Sequence, residues 1–143
     1  MIVLDTNVIS ELMHSCAHPD VVAWLDELPV DEIYLTAVTA AELRYGIARL
    51  PDGRRKTDLA ERVRQTIDED LTGRVLPFDG QASSQYADFV VDRERRGMPI
   101  SIADAQIAAI CRTHSVDLAT RNTKDFAETG IAVIDPWQTA AGE

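Results

Sequence analysis

The side chains best suited to chemistry in this sequence are Asp5, Glu42, Asp104 and Asn122. Asp5 follows the apolar run Ile2–Leu4, which predicts a buried strand ending at this carboxylate. Asn122 follows a second predicted strand, residues 116–120, and the other two acids fall early in predicted helices. In a parallel sheet these positions lie at one edge, where ligands bind. Because Mg²⁺ and Mn²⁺ prefer oxygen ligands, we expect a divalent cation there.

Two of these carboxylates also have an ordinary structural interpretation. Asp5 is a good N-cap for the helix that follows it. Ser101-x-x-Asp104 has the spacing of a capping box. The helix after Asp104 is nearly all apolar, however, so its carboxylate should face protein, where it needs a partner or a cation.

Glu42 has two interpretations that the sequence leaves open. Thr39-x-x-Glu42 is again a capping-box spacing. If the helix begins near Thr36 instead, Glu42 lies in the second turn and cannot cap it.

The elements that must position these side chains alternate along the chain. Strands are predicted at residues 2–4, 33–36, 74–76, 116–120 and 131–134. Helices are predicted at residues 6–13, 19–28, 37–50, 54–71, 79–96 and 100–114, with a short helical turn at 123–128. This alternation predicts an α/β fold, a three-layer α/β/α sandwich around a mainly parallel five-stranded sheet. We expect one domain over residues 1–143, with residues 139–143 as a frayed tail.

Composition narrows the class of protein. Apolar residues make up 45% of the 143, and no apolar run approaches the roughly 18 residues of a membrane span. A net charge of −10 argues against a broad nucleic-acid-binding face, although cations held by an acidic cluster are compatible with a nuclease. Only two cysteines, Cys16 and Cys111, are present, and the first strand begins at Ile2 without a basic leader. We therefore expect a cytoplasmic protein without disulfides.

The first helices carry more apolar side chains than a small core requires, which predicts self-association. These side chains are Val8, Ile9, Leu12, Met13 and Trp24.

Four motifs together resemble the PIN-domain ribonucleases, specifically the VapC-type toxins of bacterial VapBC toxin–antitoxin pairs. They are Val3-Leu-Asp5-Thr-Asn7, Thr39-Ala-Ala-Glu42-Leu, Ile102-Ala-Asp104-Ala-Gln-Ile107 and Thr120-Arg-Asn-Thr-Lys-Asp-Phe126. Their order and spacing cover nearly the whole chain. The resemblance implies a PIN fold, a Mg²⁺- or Mn²⁺-dependent endoribonuclease, a homodimer and a cognate antitoxin that blocks the site.

The resemblance also assigns roles to residues. Asp5, Glu42 and Asp104 match the acidic ligands of the family. The polar positions that support those ligands match Asn7, Ser101 and Thr120. Asn122 departs from the pattern, because many relatives carry a fourth acid there, and Asp125 is a candidate to replace it.

The implied mechanism is metal-assisted hydrolysis of an RNA phosphodiester. The motifs contain no histidine, so His14, His18 and His114 are expected elsewhere, at the surface or at helix ends. The candidates for holding the RNA backbone are Arg44, Arg49, Arg95, Arg96, Arg112 and Arg121.

Two other functions compete with this one. An aspartyl phosphotransferase also places an Asp after its first strand, but it usually has a second acid two residues later, where this chain has Asn7. In a non-catalytic acidic interaction module, the acids would only cap helices and engage a basic partner.

Overall fold

The computed structural model describes residues 1–139. Over this range the strands are β1 Ile2–Leu4, β2 Ile33–Thr36, β3 Val75–Leu76, β4 Asp117–Ala119 and β5 Val133–Ile134. The α-helices are α1 Thr6–Leu12, α2 Pro19–Asp26, α3 Ala37–Ala48, α4 Arg54–Arg64, α5 Gly80–Arg95 and α6 Ile102–His114. The strands form one sheet in the order β3-β2-β1-β4-β5, and all its pairings are parallel.

The sheet separates two apolar clusters, which gives the predicted three layers. Ile2 and Leu4 of β1 pack with side chains of α1 to α4 on one face. Val3 points to the other face and packs with α5 and α6. Since successive strand residues face opposite ways, an all-apolar strand is what a sheet covered on both faces requires. The α/β sandwich prediction is confirmed.

The strand order places the site. β1 lies at the centre, and the chain runs outward on one side through β2 and β3 and on the other through β4 and β5. The order therefore reverses between β1 and β4, which is where open α/β sheets form ligand crevices. Leu4 pairs with Ala119, and the backbone N–H of Asp5 donates to the Ala119 carbonyl at 2.9 Å. The residues after both strands thus emerge side by side.

The predicted helix at residues 54–71 changes its form before it ends. The α-helix stops at Arg64, and residues Gln65–Asp70 form a wider π-helical turn. Its apolar positions, Val63, Ile67 and Leu71, recur every four residues and are all buried. A four-residue spacing drifts around an α-helix of about 3.6 residues per turn, and the wider turn corrects this drift.

The apolar surplus predicted for the first helices is partly wrong. Val8 and Ile9 are 0% and 4% exposed, because they pack into the chain's own core under the sheet. Leu12, Met13 and Trp24 pack partly against the same cluster. Self-association stays a prediction that rests on the family resemblance rather than on these five residues.

Three smaller predictions can be compared with the structure. Cys16 is exposed and Cys111 is buried, and both are free thiols. None of the helices in the described range is long and apolar enough to cross a bilayer. Of the predicted tail, Thr139 lies in a turn, while residues 140–143 lie outside the described part of the chain.

Candidate active site

A cleft of about 450 Å³ opens at the carboxyl ends of β1 and β4. It is lined by Asp5, Thr6, Asn7, Ser10, Glu11, His14, Glu42, Asp104, Arg121, Asn122 and Trp137. All four residues predicted to meet at this edge of the sheet therefore reach one cleft.

Asp5 both caps α1 and lines the cleft, so its two predicted roles coexist. Asp5 is 4% exposed. One oxygen accepts the backbone N–H of Thr6 at 2.8 Å. The other accepts the Thr120 hydroxyl at 2.8 Å and the Asn7 amide at 3.2 Å. These donors fix the carboxylate at the end of β1.

The surroundings of the Asp5 carboxyl group disfavour its charged form. Burial raises the pKa of Asp5, and the negative charge of Glu42 raises it further. The hydrogen bonds from Thr120, Thr6 and Asn7 pull the pKa the other way without cancelling the rise. A cation in the cleft would favour the charged form, because opposite charge lowers the pKa of a carboxyl group.

Glu42 is not a capping residue. α3 begins at Ala37, and the hydroxyl of Thr36 accepts the backbone N–H of Thr39 at 3.1 Å. Glu42 therefore lies in the second turn, and its Oε1 accepts the Thr6 hydroxyl at 2.8 Å. This bond links α3 to the residue next to Asp5.

Asp104 lies in the first turn of α6, where Ser101 is the N-cap. The Ser101 hydroxyl accepts the Asp104 backbone N–H at 3.2 Å, so the predicted cap is present and the Asp104 side chain faces the cleft. Burial raises the pKa of Asp104, and the charges of Asp5, Asp125 and Glu42 raise it further. The carboxylates are thus close enough to repel each other.

Polar residues after β1 and β4 hold the two strand ends together. The side-chain Nδ2 of Asn7 donates to the Thr120 hydroxyl at 3.1 Å, and the side-chain Oδ1 of Asn7 accepts the backbone N–H of Arg121 at 3.1 Å. The Asn122 N–H also donates to the Thr120 hydroxyl, at 3.1 Å. Asp125 does not line the cleft and acts on Asp104 only through its charge.

The donor set suits a divalent cation, although the side chains are not closed around one. Three carboxylates and an amide oxygen are ligands that Mg²⁺ and Mn²⁺ accept together with water. Within residues 1–139, no three Asp, Glu, His or Cys side chains converge tightly enough to enclose a single ion. A Mg²⁺ ion commonly keeps several waters, so one or two direct carboxylate ligands with the others a water away are compatible with this spacing.

Of the six arginines predicted to hold RNA, Arg121 alone lines this cleft within the described chain. Arg44 pairs with Asp68 at 2.8 Å, and Arg96 pairs with Asp92 at 3.2 Å. Arg49 and Arg112 lie over the rings of Tyr45 and Phe89. Arg95 is exposed at the end of α5.

Five residues of the cleft were not predicted: Thr6, Ser10, Glu11, His14 and Trp137. His14 is an exposed residue just past the end of α1, as expected, but it also lines the cleft, which was not expected. A signal was available, because Thr6, Ser10 and His14 recur every four residues along α1 and just past its end, which places them on the same side of the helix. Trp137 comes from the segment after β5, and nothing in the spacing of the sequence pointed to it.

A larger groove of about 840 Å³ adjoins the cleft and shares Thr6, Ser10, His14 and Glu42 with it. Its floor is apolar, with Met13, Leu43, Ile47, Leu50, Leu59 and Val63. Arg54, Arg55 and Arg62 line its α4 side. The groove runs between α1, α3 and α4.

Comparison with known proteins gives one consistent result. The family model for the PIN domain matches residues 2–132. VapC ribonuclease Y4jK of Sinorhizobium fredii is 46% identical over 142 residues, which are 98% of this chain and 100% of the relative. Toxin FitB of Neisseria gonorrhoeae is 44% identical over 137 residues, 96% of this chain and 99% of the relative.

A solved structure agrees in fold. The structure of FitAB bound to an IR36 DNA fragment contains a chain that superimposes with a TM-score of 0.91 at 44% identity, covering 96% of each chain. This chain belongs to the PIN-domain family.

Proposed function

We propose that this protein is an endoribonuclease that hydrolyses RNA phosphodiester bonds with Mg²⁺ or Mn²⁺, and that it is the toxin of a bacterial toxin–antitoxin pair. The observation that carries the proposal is the convergence of Asp5, Glu42 and Asp104 on one cleft in a PIN-family chain. Relatives that are named as a VapC ribonuclease and a toxin, and that match almost end to end, support it.

Asp5 and Asp104 are the residues we assign to the cation, with Glu42 and Asn122 at its periphery. A bound divalent ion supplies charge to polarise the phosphate and lowers the pKa of the attacking water. Thr120, Asn7 and the Thr6 N–H fix the orientation of Asp5. Thr6 holds Glu42 facing the cleft, where its free oxygen can orient a water or accept its proton.

Asp5 is poorly suited to act as the nucleophile of a phosphotransferase. Both of its oxygens accept hydrogen bonds, and its carboxylate is buried. Water is therefore the attacking group we assign.

The test is cleavage of RNA by purified protein with Mg²⁺, Mn²⁺ or a chelator, followed by sequencing of the 5′ ends produced. We expect cutting only with a divalent ion and at a limited set of sites. Cutting that persists in chelator would contradict the cation assignment. A phospho-aspartate trapped on Asp5, without RNA cleavage, would favour the phosphotransferase. If the protein showed neither activity, the non-catalytic interaction module would be favoured.

We further propose that the antitoxin segment occupies the apolar groove, because the groove continues directly into the cleft and a segment lying there would cover the carboxylates. Gly46 lies within α3 on the groove wall. A Cβ added there meets nothing within 4 Å, so the chain's own packing does not require glycine. Glycine in a helix costs about 1 kcal/mol relative to alanine, and it permits close approach of another backbone.

Gly46→Leu tests this assignment against Gly46→Ala. We expect both variants to fold and to cut RNA, while only Gly46→Leu loses antitoxin binding in a pull-down with the co-expressed partner. Equal binding by the two variants would place the antitoxin elsewhere. Sedimentation of the toxin alone at micromolar concentration tests the proposed homodimer.

A further inference from the structure

Arg121 occupies an unusual position in the cleft. It follows Thr120 directly after β4, and its backbone N–H is fixed by the Asn7 side chain at 3.1 Å. Four carboxylates, those of Asp5, Glu11, Glu42 and Asp104, line the same cleft. Arg121 is the one arginine or lysine among the described lining residues.

The Arg121 guanidinium pairs with none of these acids in the described structure, where the ion pairs all lie elsewhere. It lies instead over the ring of Trp137, 5.0 Å from the ring centroid. A cation over an indole face is attracted by the ring's quadrupole. The ring thus holds the guanidinium in the cleft.

Trp137 positions the Arg121 side chain and does not stack on an RNA base. It packs against the apolar cluster formed by α1 to α4, and Arg121 lies over its ring. A guanidinium on an aromatic ring keeps its N–H edge available for two oxygens of a carboxylate or a phosphate.

The charges in the cleft indicate which group of the RNA would bind Arg121. Every nucleotide of RNA brings a negative phosphate toward a cleft that already holds four carboxylates. A cation bound by those carboxylates would have part of its positive charge neutralised by them. The charge of Arg121, which lies over an aromatic ring, is not neutralised in this way. A phosphate on the β4 side of the cleft would therefore meet Arg121.

We propose that Arg121 binds a phosphate of the RNA substrate beside the bond that is cut, and that Trp137 is the positioning residue for its guanidinium. The proposal rests on the proposed function, since it assigns a substrate contact in that active site. Arg121 touches the substrate, and Trp137 acts only through Arg121.

Arg121→Gln is the direct test, with Arg64→Gln as the matched control. Arg64 is an exposed arginine on α4 that pairs with Glu61 and Glu69 and does not line the cleft. For a short RNA that the wild type cuts, we expect Arg121→Gln to raise KM about tenfold with kcat changed less, as loss of one charged hydrogen-bonding contact implies. The slope of log affinity against log salt should fall by about 0.7, one single-strand phosphate contact. Arg64→Gln should match the wild type.

Two outcomes would overturn the assignment. Wild-type KM and salt slope in Arg121→Gln, with RNA cutting intact in the wild type, would remove Arg121 from the substrate site and leave the proposed function standing. Tighter metal binding or lost antitoxin binding, without a change in RNA affinity, would make Arg121 a counter-charge or a partner contact. A wild type that cuts no RNA would instead contradict the proposed function itself.

A double-mutant cycle tests the role of Trp137. Trp137→Phe keeps an aromatic face but weakens the attraction for the cation, so we expect KM to rise about threefold in the wild-type background. In the Arg121→Gln background the same change should have no further effect on KM, because the two residues act through one contact. Equal effects in both backgrounds would show that Trp137 does not act through Arg121.

Discussion

Two buried residues of this molecule, Arg93 and Asp5, have opposite electrostatic surroundings. At the end of α5, Arg93 is 4% exposed, and its guanidinium donates to the carbonyls of Met98, Asp125 and Ala127 at 2.7–2.8 Å. At the end of β1, Asp5 is equally buried, but it faces a cleft that holds further carboxylates. One charge is surrounded by groups that favour it, while the other is opposed by its neighbours.

The difference separates a structural charge from a functional one. Arg93 ties the turn after β4 to the loop before α6 with donors that only a long cation supplies, and these bonds are complete in the folded chain. The carboxyl groups of Asp5 and Asp104 have raised pKa values, which a bound cation would lower. Perturbed carboxyl groups in a cleft are typical of functional sites.

The largest expected effect follows from neutralising the opposed charge. Asp5→Asn should lower the rate of RNA cleavage by about a hundredfold to a thousandfold, the scale seen when a charge-stabilising group is removed from an active site. The fold should persist, since an amide oxygen can still accept the Thr6 N–H. Initial rates with saturating Mn²⁺ and circular dichroism measure both effects. Asp26→Asn, an exposed acid on α2, is the control. Substantial cleavage by Asp5→Asn would remove Asp5 from the catalytic site.

Removing the hydrogen-bonded charge of Arg93 should instead have a large effect on stability. Arg93→Met leaves three carbonyl groups without their donor, so we expect the free energy of unfolding to fall by about 3 kcal/mol, given about 1–3 kcal/mol for each buried group left unpaired. Urea denaturation measures this loss. Arg96→Gln, which removes an exposed arginine of the same helix end, should cost far less stability, because exposed ion pairs contribute little. Equal losses in the two variants would show that the Arg93 carbonyl contacts carry no special weight.

Removing the charge of Asp104 should change stability less than removing that of Arg93, and in the opposite direction. Because the pKa of Asp104 is raised in the fold, its ionisation lowers stability as pH rises from the ordinary Asp value of 3.8 through the raised one. Asp104→Asn should therefore melt at a higher temperature than the wild type at pH 7 in chelator. At a pH below 3.8 the two melting temperatures should converge, because the wild-type carboxyl is then protonated in both states.

Adding Mn²⁺ should affect the melting temperatures of the wild type and Asp104→Asn differently. It should raise the melting temperature of the wild type at pH 7 more than that of Asp104→Asn, since ligand binding stabilises the state that binds. Thermal shift with and without the ion measures this. A wild type that is more stable than Asp104→Asn in chelator would contradict the repulsion inferred among the carboxylates.

The smallest expected effect concerns Asn122, which lines the cleft without a charge. Asn122→Asp adds a carboxylate beside the proposed cation and should lower the Mg²⁺ concentration for half-maximal activity by about threefold to tenfold, because affinity rises with ligand charge. Asp125→Asn, outside the cleft lining, should change it less. Superimposable titrations for Asn122→Asp and the wild type would place Asn122 away from the ion.

The sequence predicted that Asp5 and Asp104 lie at one edge of the sheet, because each belongs to a local pattern, but it left the interpretation of Glu42 open. Asp5 ends an apolar strand, and Asp104 follows a capping serine, so strand and helix periodicity alone placed them at one edge. Arg93 could not be predicted. It stands in the charged run Asp92-Arg-Glu-Arg-Arg96, which indicates a solvated helix end. Its burial depends on carbonyls some thirty residues away, in the turn after β4. Trp137 was missed for the same reason, since its contact with Arg121 is set by the tertiary fold.

The contact between Arg121 and Trp137 also gives the cleft an optical signal. The chain has two tryptophans, and Trp24 packs beneath the sheet with α2. In a Trp24→Phe background, indole emission would come from the cleft alone, from a ring with a guanidinium over it. Any ligand that draws the guanidinium off the ring changes the field at the chromophore, so occupancy can be followed without a label. The emission of one residue would then report the arrival of RNA in real time.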